Sequence, residues 1–159
     1  MLDAGCGTGR LIPFLYTNVG KNGYVYGIDF SQEMLRIAKQ KYHNENISFI
    51  KADIAQIPLS SESIDRIICF CTFPHIDNKT LALSEFHRLL KPSGILVICN
   101  LLGSKELNGL HKKIGGAVAN DTSPCAKEMK QLFLEANFVP LELQDFQTLY
   151  LMTARKPNP

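Results

Sequence analysis

The sequence lacks the features that would place it among membrane proteins or nucleic-acid-binding proteins. Its 159 residues contain no apolar run near the roughly 20 residues that a membrane-spanning helix needs. Neither sign of charge dominates, because 17 Lys and Arg stand against 15 Asp and Glu, and the basic residues are spread from Arg10 to Lys156. Such a spread leaves no electrostatic footprint for nucleic acid. We therefore expect no membrane and no nucleic acid among the partners.

The sequence also lacks a cysteine framework. Its cysteines are odd in number and scattered, at Cys6, Cys69, Cys71, Cys99 and Cys125. This pattern favours reduced thiols, and the start Met1-Leu2-Asp3 has no signal-peptide pattern, so we expect a cytoplasmic protein. Cys69 and Cys71 lie two apart on a predicted strand without partners at zinc spacing. We predict buried thiols there and no metal site.

What is present is an alternation of short β-branched runs with helix-like stretches. Apolar residues make up 45% and charged residues 20% of the chain, which is ordinary globular usage. The alternation predicts one α/β domain over residues 1–159 with a mainly parallel sheet. Predicted strands cover residues 1–4, 24–28, 47–50, 64–71 and 95–99, followed by an antiparallel pair at 139–143 and 148–154.

Local signals place the helices between these strands. Ser31 is predicted to cap the second helix, and Ser123-Pro124 to cap the last one with proline at its first position. Asn137 is predicted to end that last helix in a left-handed conformation. The least regular stretch, residues 100–123, is expected to be a substrate-side insertion or lid, because long connections are usually functional.

The strongest chemical signal is the glycine loop, Asp3-Ala4-Gly5-Cys6-Gly7-Thr8-Gly9. Alternating glycines between a strand and a helix allow close backbone approach to a nucleotide-like ligand at a positive helix end. A dinucleotide fingerprint fails in both frames, because its third glycine would fall on Arg10 or Ile12. The sequence after Gly9 also lacks the Lys-Ser/Thr of a phosphate-binding loop. The acidic Asp3 suits a ligand with a cationic amino group.

Two further carboxylates follow the next two strands. Asp29 closes the second strand, 20 residues after Gly9, where an acidic side chain can accept hydrogen bonds from ribose hydroxyls. Asp53 follows the third strand, at the edge of a parallel sheet where ligands bind. It could accept from an adenine amino group while Ile54 packs on the ring.

These motifs resemble those of class I S-adenosylmethionine-dependent methyltransferases, in the broad group that includes the ubiquinone/menaquinone-biosynthesis methylases. The similar segments, in order, are residues 2–9, 26–31, 51–59, 64–77 and 90–98. The resemblance implies a Rossmann-like α/β/α sandwich with a seven-stranded, mostly parallel sheet of order 3-2-1-4-5-7-6, strand 7 antiparallel. The family usually has a helical segment before the first strand, so its absence here leads us to expect a truncated start.

The resemblance also implies residue roles for binding S-adenosylmethionine, with S-adenosylhomocysteine as product. Asp3, Ala4 and the backbone of Gly5, Cys6, Gly7 and Gly9 would hold the methionine part, Asp29 the ribose, Phe30 the adenosine, and Asp53 and Ile54 the adenine. Cys69 and Phe70 would border the methionine group and the reaction site. Ser93 and Asn137 stand where the family often has glycine.

No catalytic residue is obligatory for methyl transfer, since the cofactor brings its leaving group already charged. His75 and His111 are candidates to orient or deprotonate an acceptor. We expect a packing or capping role for His75 and a solvent-facing position for His111, beside Lys112 and Lys113.

The Asn/Asp-Pro-Pro-aromatic element of enzymes that methylate nucleic-acid amino groups is absent, and Pro124-Cys125 lies far from the fourth strand. These observations favour a small-molecule acceptor and a monomer or homodimer. Alternatives are a catalytically silent protein of the same fold, binding cofactor or a partner chain, and a nicotinamide oxidoreductase.

Overall fold

A seven-stranded sheet of order β3-β2-β1-β4-β5-β7-β6 forms the centre of the protein. The computed structural model describes residues 1–158. The strands are β1 (Leu2–Ala4), β2 (Val25–Asp29), β3 (Ile47–Lys51), β4 (Ile64–Phe70), β5 (Leu90–Asn100), β6 (Val139–Phe146) and β7 (Leu149–Arg155). Strands β1 to β5 pair in parallel, and β7 is antiparallel to both β5 and β6. The predicted fold class, order and antiparallel strand are confirmed.

Five helices connect and flank the sheet: α1 (Ile12–Val19), α2 (Gln32–Lys41), α3 (Lys79–Leu89), α4 (Ser104–Ile114) and α5 (Ala126–Glu135). Alternate residues of each strand face opposite sides of the sheet, and two separate apolar clusters result. Ile12 and Leu35 bring α1 and α2 onto one cluster with Val25. Phe86 and Phe133 bring α3 and α5 onto the other with Ile28. This gives the three-layer sandwich.

The structure confirms two of the predicted helix ends and contradicts a third. The Ser31 side chain accepts from the Met34 N–H, and Asn137 has a φ of 60° after α5, as predicted. The predicted Ser123 cap is wrong, because Cys125 is the N-cap of α5 and its N–H donates to Glu128. Ser123 is held instead by Asn108 of α4, which binds both its N–H and its carbonyl oxygen.

The edges of β4 and β5 also depart from the prediction. Strand β5 begins at Leu90, which pairs with Ile64, rather than at Ile95. Cys71 is exposed, so the prediction of a second buried thiol is wrong. Its φ of 52° breaks the strand alternation after Phe70, while its N–H still donates to the Cys99 carbonyl at 2.8 Å.

The stretch predicted to be least regular contains an eleven-residue helix, α4, and a 3₁₀ turn at Gly116–Val118. Asp145 of β6 fixes the start of α4, because its carboxylate accepts from the Ser104 N–H at 2.7 Å and from the Ser104 hydroxyl at 2.6 Å. Within residues 1–158, no helix has both the length and the apolar character needed to cross a membrane.

Candidate cofactor and acceptor site

The glycine loop after β1 is fastened to β2 by backbone hydrogen bonds. The N–H groups of Gly5 and Cys6 both donate to the Ile28 carbonyl, at 2.8 and 2.9 Å. Gly5, Gly7 and Gly9 all have left-handed φ angles, of 78°, 52° and 82°. Side chains rarely tolerate this conformation, so the shape of the loop depends on glycine.

Asp29 connects this loop to the start of α2. One carboxylate oxygen accepts from the Gly7 N–H and the other from the Ser31 N–H, each at 2.8 Å. A carboxylate offers about four lone-pair directions, so these two bonds leave capacity for two more donors. The paired hydroxyls of a ribose are donors of that kind.

Asp3 is a buried carboxyl with unused hydrogen-bonding capacity. It is only 2% exposed, and its Oδ2 has no partner within residues 1–158. Burial raises its pKa to about 7, with a further contribution from the nearby Asp29 charge. A buried acceptor without a partner is costly, and a ligand's ammonium group would provide the missing donor and charge.

A cavity of about 830 Å³ is lined by Gly5 and Gly7 of the loop and by Asp29. A methyl group placed on Gly7 would meet no atom within 4 Å, whereas one on Gly5 would lie 2.2 Å from the Thr72 side chain. The loop therefore leaves free space at Gly7 and is packed tightly at Gly5. Thr72 holds this packing through a hydrogen bond to the Gly5 carbonyl at 3.2 Å.

The cavity brings together half of the predicted cofactor residues. Those lining it are Gly5, Gly7, Asp29, Phe30, Asp53 and Ile54. Those not lining it are Asp3, Ala4, Cys6, Gly9, Cys69 and Phe70, of which all but Phe70 are buried. Sequence reasoning missed other lining residues, among them Thr72 and the apolar Met34 and Leu81.

Asp53 and the apolar rim form the outer part of the cavity. Asp53 is exposed, and its Oδ1 accepts from the Ala55 N–H at 2.8 Å, which shapes the turn after β3. Phe30 is 79% exposed and Leu81 is 54% exposed. Large apolar side chains this open to solvent at a cavity mouth suit an apolar ligand group.

The two candidate histidines lie together, with ring centroids 5.2 Å apart. His75 lines the cavity, and its Nδ1 lies 2.6 Å from Oδ2 of Asp121. The expectation that His111 faces solvent is wrong: it is 6% exposed, because its Nδ1 binds the Asp121 carbonyl at 2.7 Å and draws the ring inward. No sequence signal marked Asp121, which lies 46 residues from His75.

Lys79, at the start of α3, braces the loop that carries His75. Its ammonium group donates to the carbonyls of Pro74, at 3.2 Å, and Ile76, at 2.9 Å. Partial burial lowers the pKa of Lys79. Both neighbours of His75 in the chain are thus held by one side chain.

The sheet order and the glycine loop with its two carboxylates define an α/β protein built to bind a nucleoside-type ligand. The chain belongs to the methyltransferase-domain family, whose model matches residues 1–146, and is a class I S-adenosylmethionine-dependent methyltransferase. It is 30% identical over 169 residues to demethylmenaquinone methyltransferase of Staphylococcus aureus, covering 91% of this chain and 70% of that protein.

Solved structures share the fold at lower identity. A Haloferax volcanii methyltransferase complex with the Trm112 activator gives a TM-score of 0.84 at 18% identity, covering 99% of this chain and 82% of that one. The [4+2]-cyclase SpnF gives a TM-score of 0.79 at 19% identity, covering 99% of this chain and 75% of that one. These likenesses concern the fold alone.

Proposed function

We propose that this chain binds S-adenosylmethionine in the 830 Å³ cavity and transfers its methyl group to a small molecule, with S-adenosylhomocysteine as product. The observation that carries the proposal is the unpartnered Oδ2 of Asp3, buried behind the glycine loop. A cofactor with an ammonium group would place positive charge near Asp3 and Asp29, whereas the pyrophosphate of a dinucleotide would add negative charge there.

Three groups of residues fit the three parts of that cofactor: methionine, ribose and adenine. Asp3 and the loop from Gly5 to Gly9 would hold the methionine end, where the space at Gly7 is free. Asp29 has the remaining lone pairs for the ribose. Phe30, Asp53 and Ile54 would hold the adenosine end at the cavity rim.

The bound cofactor supplies a methyl group activated by its positive sulfur. The chain's contribution is alignment and a shaped, water-poor cavity. Thr72 keeps the loop after β4 against the glycine loop. Cys69 and Phe70 end β4 shortly before Thr72, and we propose that they border the methionine group and the reaction site.

For the acceptor, we propose a small, largely apolar ring compound. The support is the exposed rim of Phe30, Met34 and Leu81, together with relatives whose name specifies demethylmenaquinone. We further propose that residues 100–123 form the acceptor-side lid, because Asp121 of that segment contacts His75 in the cavity wall.

Calorimetric titration with S-adenosylmethionine, S-adenosylhomocysteine and NAD tests the cofactor. We expect binding of the first two, and a loss of about 100-fold or more in Asp29→Ala, because this carboxylate both shapes the loop and meets the ribose. Glu33→Ala, an exposed carboxylate of α2, serves as the control and should bind normally. Binding of NAD alone would overturn the proposal in favour of an oxidoreductase.

Labelled S-adenosylmethionine then tests the acceptor. We expect methyl transfer to demethylmenaquinone assayed in its reduced form, in which the ring is electron-rich. If the cofactor binds but neither this compound nor any other small ring compound is methylated, a silent cofactor-binding role replaces the enzyme.

A further inference from the structure

His75 is placed to act on a molecule in the cavity. It ends the 3₁₀ turn Phe73–His75 directly after β4, and its side chain is 42% exposed. The same cavity is lined by Gly5 and Gly7 of the glycine loop. A group at this position faces both the proposed cofactor loop and the acceptor side.

The hydrogen bond to Asp121 determines which ring nitrogen is free. A carboxylate can only accept, so the 2.6 Å contact places the proton of a neutral ring on Nδ1. The lone pair then lies on Nε2, which has no hydrogen-bond partner within residues 1–158. An imidazole in this tautomer is ready to accept a proton.

Asp121 is itself held by a second histidine. The carbonyl of Asp121 can only accept, so the 2.7 Å contact means that His111 Nδ1–H donates to it. His111 is 6% exposed and belongs to α4. The buried ring therefore fixes the backbone of Asp121, and the Asp121 carboxylate in turn fixes the ring of His75.

We propose that His75 is the proton acceptor for methyl transfer, that Asp121 and His111 are positioning residues, and that the acceptor carries an ionisable ring hydroxyl. The role of His75 rests on the proposed function, methyl transfer to a small molecule, and adds the chemical class of the acceptor. An amine acceptor would use its own lone pair and would not require a base at the cavity wall. A ring hydroxyl becomes a strong nucleophile when its proton is removed.

The step balances as follows. The acceptor's O–H bond breaks and its proton goes to Nε2 of His75, while the electron pair stays on the oxygen and ring. This pair forms the new bond to the methyl carbon as the methyl–sulfur bond breaks and its electrons return to sulfur. The imidazolium is stabilised by Asp121. When the oxygen is methylated, the imidazolium passes its proton to solvent. When a ring carbon is methylated instead, that carbon loses its hydrogen to water, and the imidazolium returns its proton to the oxygen.

The tautomer can be measured without cofactor or acceptor. In ¹⁵N NMR of the histidine-labelled chain, we expect His75 with its proton on Nδ1, and a shift towards the other tautomer in Asp121→Asn. Asn120→Ala, which removes the exposed neighbouring side chain, is the control and should leave the signal unchanged. A wild-type His75 protonated on Nε2 would overturn the proposal.

Kinetics with two matched acceptors test the base. The probes are a naphthol and a nitro-substituted naphthol whose hydroxyl is already ionised at the assay pH. His75→Gln should lower kcat about 100-fold with the first and less than about fivefold with the second, which needs no base. Asp121→Asn should lower kcat about tenfold with the naphthol alone. Equal losses with both acceptors would show a purely structural role and overturn the assignment.

Two controls separate this inference from the proposed function. S-adenosylmethionine should bind all variants with a Kd within about twofold of wild type, and denaturation should show that they are folded. Loss of cofactor binding in the wild type would refute the proposed function itself. Normal cofactor binding with methylation of naphthylamine but neither naphthol would refute only the hydroxyl acceptor and its base.

Discussion

Two regions next to the cavity are built in different ways: the glycine loop with β2, and α4 with the turn after β4. On the proposed cofactor side, the glycine loop after β1 donates to the Ile28 carbonyl and the Asp29 carboxylate at the end of β2, and Gly7 and Asp29 lie 22 residues apart. On the acceptor side, the contacts join separate elements: His75 with Asp121, and Ser104 with Asp145, which lie 46 and 41 residues apart. The first set of contacts stays within one β1-α1-β2 unit, whereas the second depends on how α4 and the sheet are packed.

The largest effect we expect is a pH dependence of the free energy of unfolding, caused by the buried carboxyl of Asp3. The pKa of Asp3 is raised from 3.8 to about 7, so the folded state keeps a proton that the unfolded chain has lost between these values. The free energy of unfolding therefore falls as pH rises from 4 to 7, by about 4 kcal/mol from this group. Urea denaturation across that range should show the slope.

Asp3→Asn should remove this slope and stabilise the free protein above pH 7, while weakening S-adenosylmethionine binding. Glu45→Gln, at an exposed position before β3, should leave the slope intact. An unchanged pH profile in Asp3→Asn would contradict the assignment of the slope to this carboxyl.

Two alanine substitutions in the glycine loop, Gly5→Ala and Gly7→Ala, should differ in their cost to stability. Gly5→Ala should destabilise the fold by about 3 kcal/mol, because the new methyl group meets Thr72 and the φ of 78° is strained. Gly7→Ala meets no atom and should cost about 1 kcal/mol from its φ alone. Chemical denaturation measures both.

Gly7→Ala should have a small effect on stability but a large effect on cofactor affinity, because its methyl group enters the space proposed for the cofactor. Calorimetric titration with the cofactor measures this. We expect its affinity to fall at least about tenfold despite near-normal stability. Equal stability losses in the two variants would show that Thr72 does not constrain the loop.

On the acceptor side, Asp145→Ala should release the start of α4. Two hydrogen bonds from Ser104 to this carboxylate are lost, at a cost of about 2 kcal/mol. Hydrogen exchange should speed up in α4 but not in α2. Equal deprotection of both helices would mean that the two regions open as one cooperative unit.

The smallest effect concerns a position far from both sides. Ser93 has a φ of 64°, and Ser93→Gly should relieve this strain and, after the entropy cost of glycine in the unfolded chain, stabilise the protein by about 0.5 kcal/mol. The substitution also removes the exposed hydrogen bond from the Ser93 hydroxyl to Asn158, which offsets part of this gain in stability. Thermal denaturation should give a slightly higher Tm with unchanged cofactor affinity.

The sequence by itself determined the class of fold, and half of the cofactor residues that it predicted do line the cavity. Asp29 and the glycine loop could be recognised because each has a local signal: alternating glycines between a strand and a helix, and an acidic residue that ends the next strand of the same β-α-β unit. Ser31 and Asn137 were likewise readable, since a helix end depends on the conformation and side chain of a single residue.

Only the tertiary structure brought His75, Asp121 and His111 together. Asp121 has no local pattern, and His111 was expected in solvent because its neighbours, Lys112 and Lys113, are charged. The contacts of both depend on where α4 ends relative to the turn after β4. A hydrogen bond between residues 46 apart is set by the packing of whole elements, which no short stretch of sequence specifies.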